Sequence, residues 1–210
     1  MTRPRIVMAD DHRMVAEGLR SLLEPAYELA EIVEDGRALV EAAQRLQPEV
    51  IVADITMPLL NGLDAAEQIR RLGCQAKVIF MTMHKDALYA ARAMRGGASG
   101  FVLKHSASAE LLTAIQESLA GRTYVTPAIA ELLARLPDPA PDSDVPLTRR
   151  QREVLQLVAE GHSAKEVAKV LHISVRTAEG HKAQIMDLLG ARSTADLVQC
   201  AIRHGLIGPT

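Results

Sequence analysis

The sequence predicts a two-part fold: an α/β domain built on a five-stranded, doubly wound parallel sheet, followed by an all-α domain of four helices. Three observations carry this expectation. In the first part, short apolar runs alternate with helix-period segments, the pattern of a parallel sheet with crossover helices. Two of those runs, "VIVA" and "KVIFM", are nearly continuous in apolar character, as strands covered on both faces must be. Beyond "PDPAPDSDVP" no strand-like run appears, and four segments each begin at a helix-capping Ser or Thr.

Taken in order, "RIVMA", "LAEIV", "VIVA", "KVIFM" and "GFVLK" are the five strands, and right-handed crossovers between them leave few topologies. This domain spans 1–122. The following "GRTYVTPAIAELLARL" is a helical extension. Its successor, Pro137 to Pro146, has four prolines and three aspartates in ten residues and cannot bury enough surface to fold, so 123–146 is an extension ending in a stiff linker. From 147 to 210, helices start after Thr148, Ser163, Ser174 and Ser193 or Thr194, and Gly161 and Gly190 stand where helix-terminating glycines are expected. The inner faces of this domain are Val154, Leu155, Val158, Val167, Ala168, Leu171, Val175, Ile185 and Leu188.

Composition narrows the class. The 210 residues are 48% hydrophobic, enough for one or two ordinary cores. No apolar stretch reaches the roughly 20 residues of a membrane span, and Met1 to Asp10 lacks a secretory apolar region, so a soluble cytoplasmic protein is expected. Cys74 and Cys200 lack metal-ligand spacing and read as reduced core thiols. The net charge of −2 is unevenly divided: residues 1–135 carry 15 basic and 17 acidic side chains, 136–146 none and 3, and 147–210 carry 9 and 6. Only the last part is net basic, which permits nucleic-acid binding without establishing it.

In an open parallel sheet, ligands collect at the carboxyl ends of the strands. Asp10 and Asp11 end the first strand, Asp54 the third, Thr82 the fourth and Lys104 the fifth. Three carboxylates in one crevice call for a cation, and oxygen ligands alone select a hard one, Mg²⁺ rather than Zn²⁺. An ammonium and a hydroxyl beside them suit a phosphoryl group. His12 and His84 flank the set and read as surface side chains or partners of the acids.

The motifs "VMADDH", "DITMPLLNG", "FMTM" and "GASGFVLK", in this order, resemble the receiver domain of a two-component response regulator, with a flavodoxin-like fold. The resemblance implies that Asp54 accepts the phosphoryl group from a sensor histidine kinase. It further implies that Asp10, Asp11, Asp54 and the Thr56 backbone carbonyl hold Mg²⁺, that Thr82 and Lys104 bind the phosphoryl oxygens, and that Phe101 is the switch aromatic. Two positions depart from many receivers. His105 follows Lys104 where a cis-bonded proline is common, so a trans or locally strained bond is expected, a non-proline cis bond costing roughly 2.5–4 kcal/mol. Phe101 lacks the hydroxyl of a tyrosine, so a switch there works by packing.

The C-terminal segments have helix-turn-helix spacing, which a plain helical bundle shares. Their sequences "LTRRQREVLQLVAEG", "KEVAKVL", "ISVRTAEGH" and "STADLVQCAIRHGLI" resemble the LuxR-type DNA-binding domain of NarL/FixJ-class regulators. This implies that Ser174 to Leu189 is a recognition helix in the major groove of double-stranded DNA, with Arg176, Thr177, Glu179, His181 and Lys182 as contacts. It also implies homodimers through Thr194 to His204, whose Leu197, Val198, Ala201 and Ile202 make an apolar stripe. Many relatives carry lysine where this chain has Glu179, so their base preference does not transfer. Arg149, Arg150 and Lys165 read equally as backbone contacts or solvated charges. The competing readings are a phosphohydrolase and a regulator that uses its first domain for dimerisation alone. The dehalogenase-like phosphatase pattern needs a second aspartate where Thr56 stands, and the full acidic and switch set argues against the phosphate-independent reading. The expected function is therefore a DNA-binding regulator rather than an enzyme, its only chemistry being Mg²⁺-dependent self-phosphorylation.

Overall fold

A computed structural model describes residues 3–83, 85–136 and 147–208. The chain divides into two compact units. In the first, strands β1 (Arg5–Ala9), β2 (Glu28–Val33), β3 (Val50–Asp54), β4 (Lys77–Thr82), β5 (Gly100–Leu103) and β6 (Tyr124–Val125) form one sheet in the order β2-β1-β3-β4-β5-β6. Every pairing is parallel. Helices α1 (Arg13–Leu23), α2 (Gly36–Leu46), α3 (Gly62–Arg71), α4 (Ala87–Arg95), α5 (Ala107–Leu119) and α6 (Pro127–Arg135) connect and follow the strands.

The five expected strands form, with β3 wholly buried as its apolar run requires. A sixth strand corrects the count. Tyr124–Val125 pairs with Gly100–Phe101, and the Thr126 amide donates to the Phe101 carbonyl at 2.9 Å. Two half-buried residues between Gly121, at φ +78°, and Pro127 are too short to show a period of two, which is why the segment reads as helix from sequence. Together, β6 and α6 belong to the α/β unit. The expected linker, Pro137 to Pro146, lies outside the described residues, as does His84.

One apolar core packs α1 and α5 on the sheet through Leu19, Leu23, Leu111 and Ile115 against Ile6, Met8, Val52 and Met81. Helix starts follow their capping residues. The Asp35 carboxylate accepts from the Arg37 and Ala38 amides, and the Asn61 side chain accepts from the Asp64 amide.

The second unit contains α7 (Arg149–Ala159), α8 (Ala164–Leu171), α9 (Val175–Leu189) and α10 (Thr194–Arg203). Thr148, Ser163 and Ser193 each form a capping box with Gln151, Glu166 and Asp196, and Ser174 caps α9. Gly161 and Gly190 take positive φ at the ends of α7 and α9, and His172 ends α8 at φ +53°. Seven of the nine expected inner residues are buried, but Val175 is 41% and Leu188 50% exposed. Both lie in the end turns of a 15-residue helix that outruns the 11 residues of α7 and the eight of α8, so the inner face of α9 is carried by Ala178 and Ile185. Cys74 and Cys200 are buried free thiols. Among the described residues no helix is long and apolar enough to cross a membrane.

Candidate functional site

The parallel register brings the strand ends together. Ala9 pairs with Ala53, so Asp10 and Asp11 leave β1 beside Asp54 at the end of β3; Thr82 pairs with Leu103, so Lys104 follows at the same edge. The Lys104 Nζ lies 2.6 Å from Asp54 Oδ2 and 2.8 and 3.0 Å from Asp10 Oδ2 and Oδ1. All three side chains are at most 3% exposed. Burial raises the pKa of the Asp54 carboxyl, and the Lys104 ammonium offsets this only in part. Burial also disfavours the charged Lys104, but the two carboxylates outweigh it and hold that pKa above its usual value.

Asp11 is exposed and completes the acidic group with His12, one ligand atom from each of Asp10, Asp11, His12 and Asp54 lying within 4.8 Å of the others. The hydrogen bond from Lys104 falls on Asp10 Oδ1, leaving Oδ2 buried without an aligned donor even though Nζ is close. Three carboxylates against one ammonium leave an excess of two negative charges, which a divalent cation would balance. The pocket is therefore compatible with divalent metal binding. The Thr56 amide donates to Asp54 Oδ1 at 3.3 Å. Thr82 is 1% exposed at the end of β4, and Phe101 is fully buried in β5 opposite Phe80. Among the described residues no peptide bond is cis, so Lys104–His105 is trans.

Three supports of the site escape sequence reading. An alanine Cβ at Gly62 would stand 2.1 Å from the Asp54 carbonyl oxygen, so α3 approaches the acidic strand end more closely than any side chain allows. Gly62 closes the motif "DITMPLLNG" after its capping asparagine, but nothing in the sequence tells that its missing side chain is what admits the Asp54 carbonyl. Next, the buried Asp64 accepts from Asn61 Nδ2 at 2.9 Å and from Arg92 Nη2 at 2.9 Å, tying α3 to α4. Asn61 and Asp64 have cap spacing, but nothing local points to Arg92. Finally, the Thr126 hydroxyl donates to Glu110 at 2.5 Å and accepts from the Leu103 amide at 3.2 Å, fastening β5 to the start of α6.

On α9, Arg176, Thr177 and Glu179 are exposed on the side away from Ala178, while His181 and Lys182 are half-buried. Two of these side chains have partners within the unit: the Thr177 hydroxyl meets Ser174 Oγ at 2.8 Å, and Lys182 Nζ donates to Thr194 Oγ1 at 3.3 Å. Arg149 and Arg150 pair with the buried Glu153 at 3.4 and 2.8 Å. On α10, Leu197 and Ala201 face the core, and Val198 and Ile202 are half-exposed.

A buried aspartate–lysine pair at the carboxyl edge of a β2-β1-β3-β4-β5 sheet, with a helix-turn-helix unit after it, defines a class: a response regulator with a DNA-binding effector. Comparison with known proteins agrees. Residues 6–116 match the response regulator receiver domain, and residues 145–201 match the luxR family of bacterial regulatory proteins. Transcriptional regulatory protein MctR of Rhizobium johnstonii is 33% identical over 205 residues, covering 97% of this chain and 95% of MctR. Oxygen regulatory protein NreC of Staphylococcus aureus is 34% identical over 215 residues, 97% of this chain and 99% of NreC. A structure of the Salmonella typhimurium RcsB response regulator aligns over 97% of this chain and 99% of RcsB with a TM-score of 0.66 at 26% identity. An RcsB–DNA complex aligns over 94% of this chain and 97% of RcsB, with a TM-score of 0.60 at 27% identity. The chain belongs to the two-component transcriptional response regulators with a LuxR-type DNA-binding domain.

Proposed function

We propose that Asp54 accepts a phosphoryl group from a cognate sensor histidine kinase in the cytoplasm, and that the acyl phosphate controls dimerisation and DNA binding. The observation that carries this reading is the Lys104 ammonium, held in a dry site between Asp10 and Asp54 at 2.6–3.0 Å. An Asp54 carboxylate oxygen attacks phosphorus, the bond from phosphorus to the donor breaks, and the donor leaves with the electron pair. Lys104 stands where it can neutralise the phosphoryl oxygens, so positioning and electrostatics suffice. Asp10, Asp11, Asp54 and the Thr56 carbonyl would hold Mg²⁺, which would supply further charge neutralisation.

Thr82 then turns its hydroxyl to a phosphoryl oxygen, and Phe101 repacks into the vacated space. Arg176, Thr177, Glu179, His181 and Lys182 meet double-stranded DNA: cations and hydroxyls toward phosphates or base edges, Glu179 able to accept from a cytosine amino group. RcsB was solved as dimers on DNA. Homodimers through α10 suit two-fold half-sites, with half-exposed Val198 and Ile202 as the free part of the stripe. The test is incubation with acetyl phosphate and Mg²⁺, followed by detection of the acyl phosphate. Asp54→Asn should take up none; undiminished uptake refutes the assignment, and steady release of inorganic phosphate with no stable adduct favours a phosphohydrolase.

A further inference from the structure

Thr126 opens α6 without capping it. Threonine is a good capping type, and Thr148, Ser163, Ser174 and Ser193 each cap their own helix, yet the buried Thr126 hydroxyl makes no bond to α6. It is turned the other way, accepting from the Leu103 amide of β5 at 3.2 Å and donating to Glu110 of α5 at 2.5 Å. The cause lies in the main chain. The Thr126 amide extends the β5–β6 ladder to the Phe101 carbonyl at 2.9 Å, but the Thr126 carbonyl already accepts from Ile129 and Ala130 of α6 at 2.8 and 3.0 Å. The next amide of β5, Leu103, still needs an acceptor, and the Thr126 hydroxyl takes that place. Pro127 at the first position of α6 has no amide, so the uncapped helix start has one donor fewer to satisfy. We propose that Thr126 is the positioning residue that makes β5 and α6 move as one body and so carries the state of Asp54 from Phe101 to the chain entering the DNA-binding unit. The proposal rests on reading Asp54 as the phospho-acceptor and names the point at which its effect leaves the sheet.

The geometry supports it in three ways. One bond between β5 and Thr126 would leave a pivot, whereas the pair, to the Phe101 carbonyl and the Leu103 amide, fixes the direction in which α6 starts. These two bonds fall where movement is expected. Phe101 is the fully buried switch ring, Leu103 precedes the Lys104 that meets Asp54, and in a core as dense as an organic crystal a ring cannot turn without shifting its own strand. The body is closed from the other sides. Glu110 also bonds the Tyr124 hydroxyl, so the side chains on either side of Val125 meet one acid of α5. Ile129 of α6 is fully buried, and α6 packs against α4, the helix that follows Thr82. A displacement of β5 is therefore passed to α6 and, from its end at Arg135, along the chain towards α7.

The experiment uses the full chain, acetyl phosphate with Mg²⁺ as donor, and a DNA duplex that wild type selects from a random-sequence pool. The readout is the gain in DNA affinity on phosphorylation, compared at equal acyl-phosphate occupancy measured in each sample. Thr126→Val keeps the size and the backbone bonds but deletes the hydroxyl, and Thr126→Ser keeps the hydroxyl. Wild type and Thr126→Ser should show the full gain, and Thr126→Val should shrink it by about 2- to 30-fold, the reach of a residue on a coupling route. Damaged packing alone lowers affinity in both states alike and leaves the gain unchanged. Should Thr126→Val not fold, Glu110→Ala decides in its place, since it removes the acceptor of the hydroxyl from a half-buried position on α5: a shrunken gain supports the proposal and a full one overturns it. A full gain in folded Thr126→Val, or an equally shrunken one in Thr126→Ser, overturns the proposal while leaving the Asp54 switch intact. No gain in phosphorylated wild type removes the switch reading and the proposal with it.

Discussion

Replacing Gly62 by alanine should disable the acceptor without touching a charged group. The added Cβ would sit 2.1 Å from the Asp54 carbonyl oxygen, 3.1 Å from its carbonyl carbon and 3.2 Å from Ile55 Cα, against the 3.4 Å at which ordinary contact begins. All three atoms are backbone, and the Gly62 amide donates to the Ile55 carbonyl at 2.8 Å, so neither partner can rotate away. The chain must yield by about 1 Å, and it yields at the acceptor. Overpacking of this kind costs about 1–3 kcal/mol, which lowers the melting midpoint of a unit this size by about 3–9 °C. A 1 Å displacement of a reacting group costs about 10²-fold in rate, so phosphoryl uptake from acetyl phosphate should slow by that factor. Gly18→Ala is the control: nothing lies within 4 Å of its Cβ in the middle of α1, and it should gain up to about 1 kcal/mol. Calorimetry and an uptake time course on both variants check the prediction. A Gly62→Ala protein with unchanged midpoint and uptake would refute the packing argument.

Other expectations follow from the charges. Lys104→Ala leaves Asp10 and Asp54 buried without their cation and should cost about 3 kcal/mol in metal-free buffer, much of it recovered on adding Mg²⁺; identical melts with and without Mg²⁺ would count against the divalent site. Glu166 and Asp196 accept capping hydrogen bonds, from Ser163 for Glu166 and from the Arg192 and Ser193 backbones for Asp196, which lower their pKa values below the ordinary 4.5 and 3.8. Because the folded values are depressed, their contribution is complete above the unfolded values and is lost as pH falls through the folded ones; carboxyl NMR titration should place both midpoints below 4.5 and 3.8 respectively. Lys182→Ala should weaken DNA binding about equally for all sequences and reduce the salt slope by about one; an unchanged slope would remove Lys182 from the phosphate contacts.

Much of this was legible in the chain. The strands were readable because buried parallel strands leave unbroken apolar runs, and the C-terminal helices because their Ser and Thr caps stand at the predicted positions. The strand-end set was readable because topology alone sends Asp10, Asp54, Thr82 and Lys104 to one edge. What stayed hidden is carried by non-local contacts. Arg92 meets Asp64 across 28 residues, and Thr126 meets Leu103 across 23, with no periodicity to announce either. Val175 and Leu188 show the complementary error: apolar character predicts an inner face, but only the lengths of neighbouring helices decide where that face ends.

The central claim is that a phosphoryl group on Asp54 shifts the population of a DNA-competent dimer. Moving that state from 1% to 99% requires a bias of about 5.5 kcal/mol, and a smaller bias gives graded control. The direct measurement is DNA affinity together with sedimentation of the full chain before and after phosphorylation, beside Asp54→Asn treated identically. Phosphorylated wild type should sediment as a dimer and bind DNA more tightly, while Asp54→Asn should change in neither respect. Equal affinity and equal sedimentation of wild type in both states would contradict it.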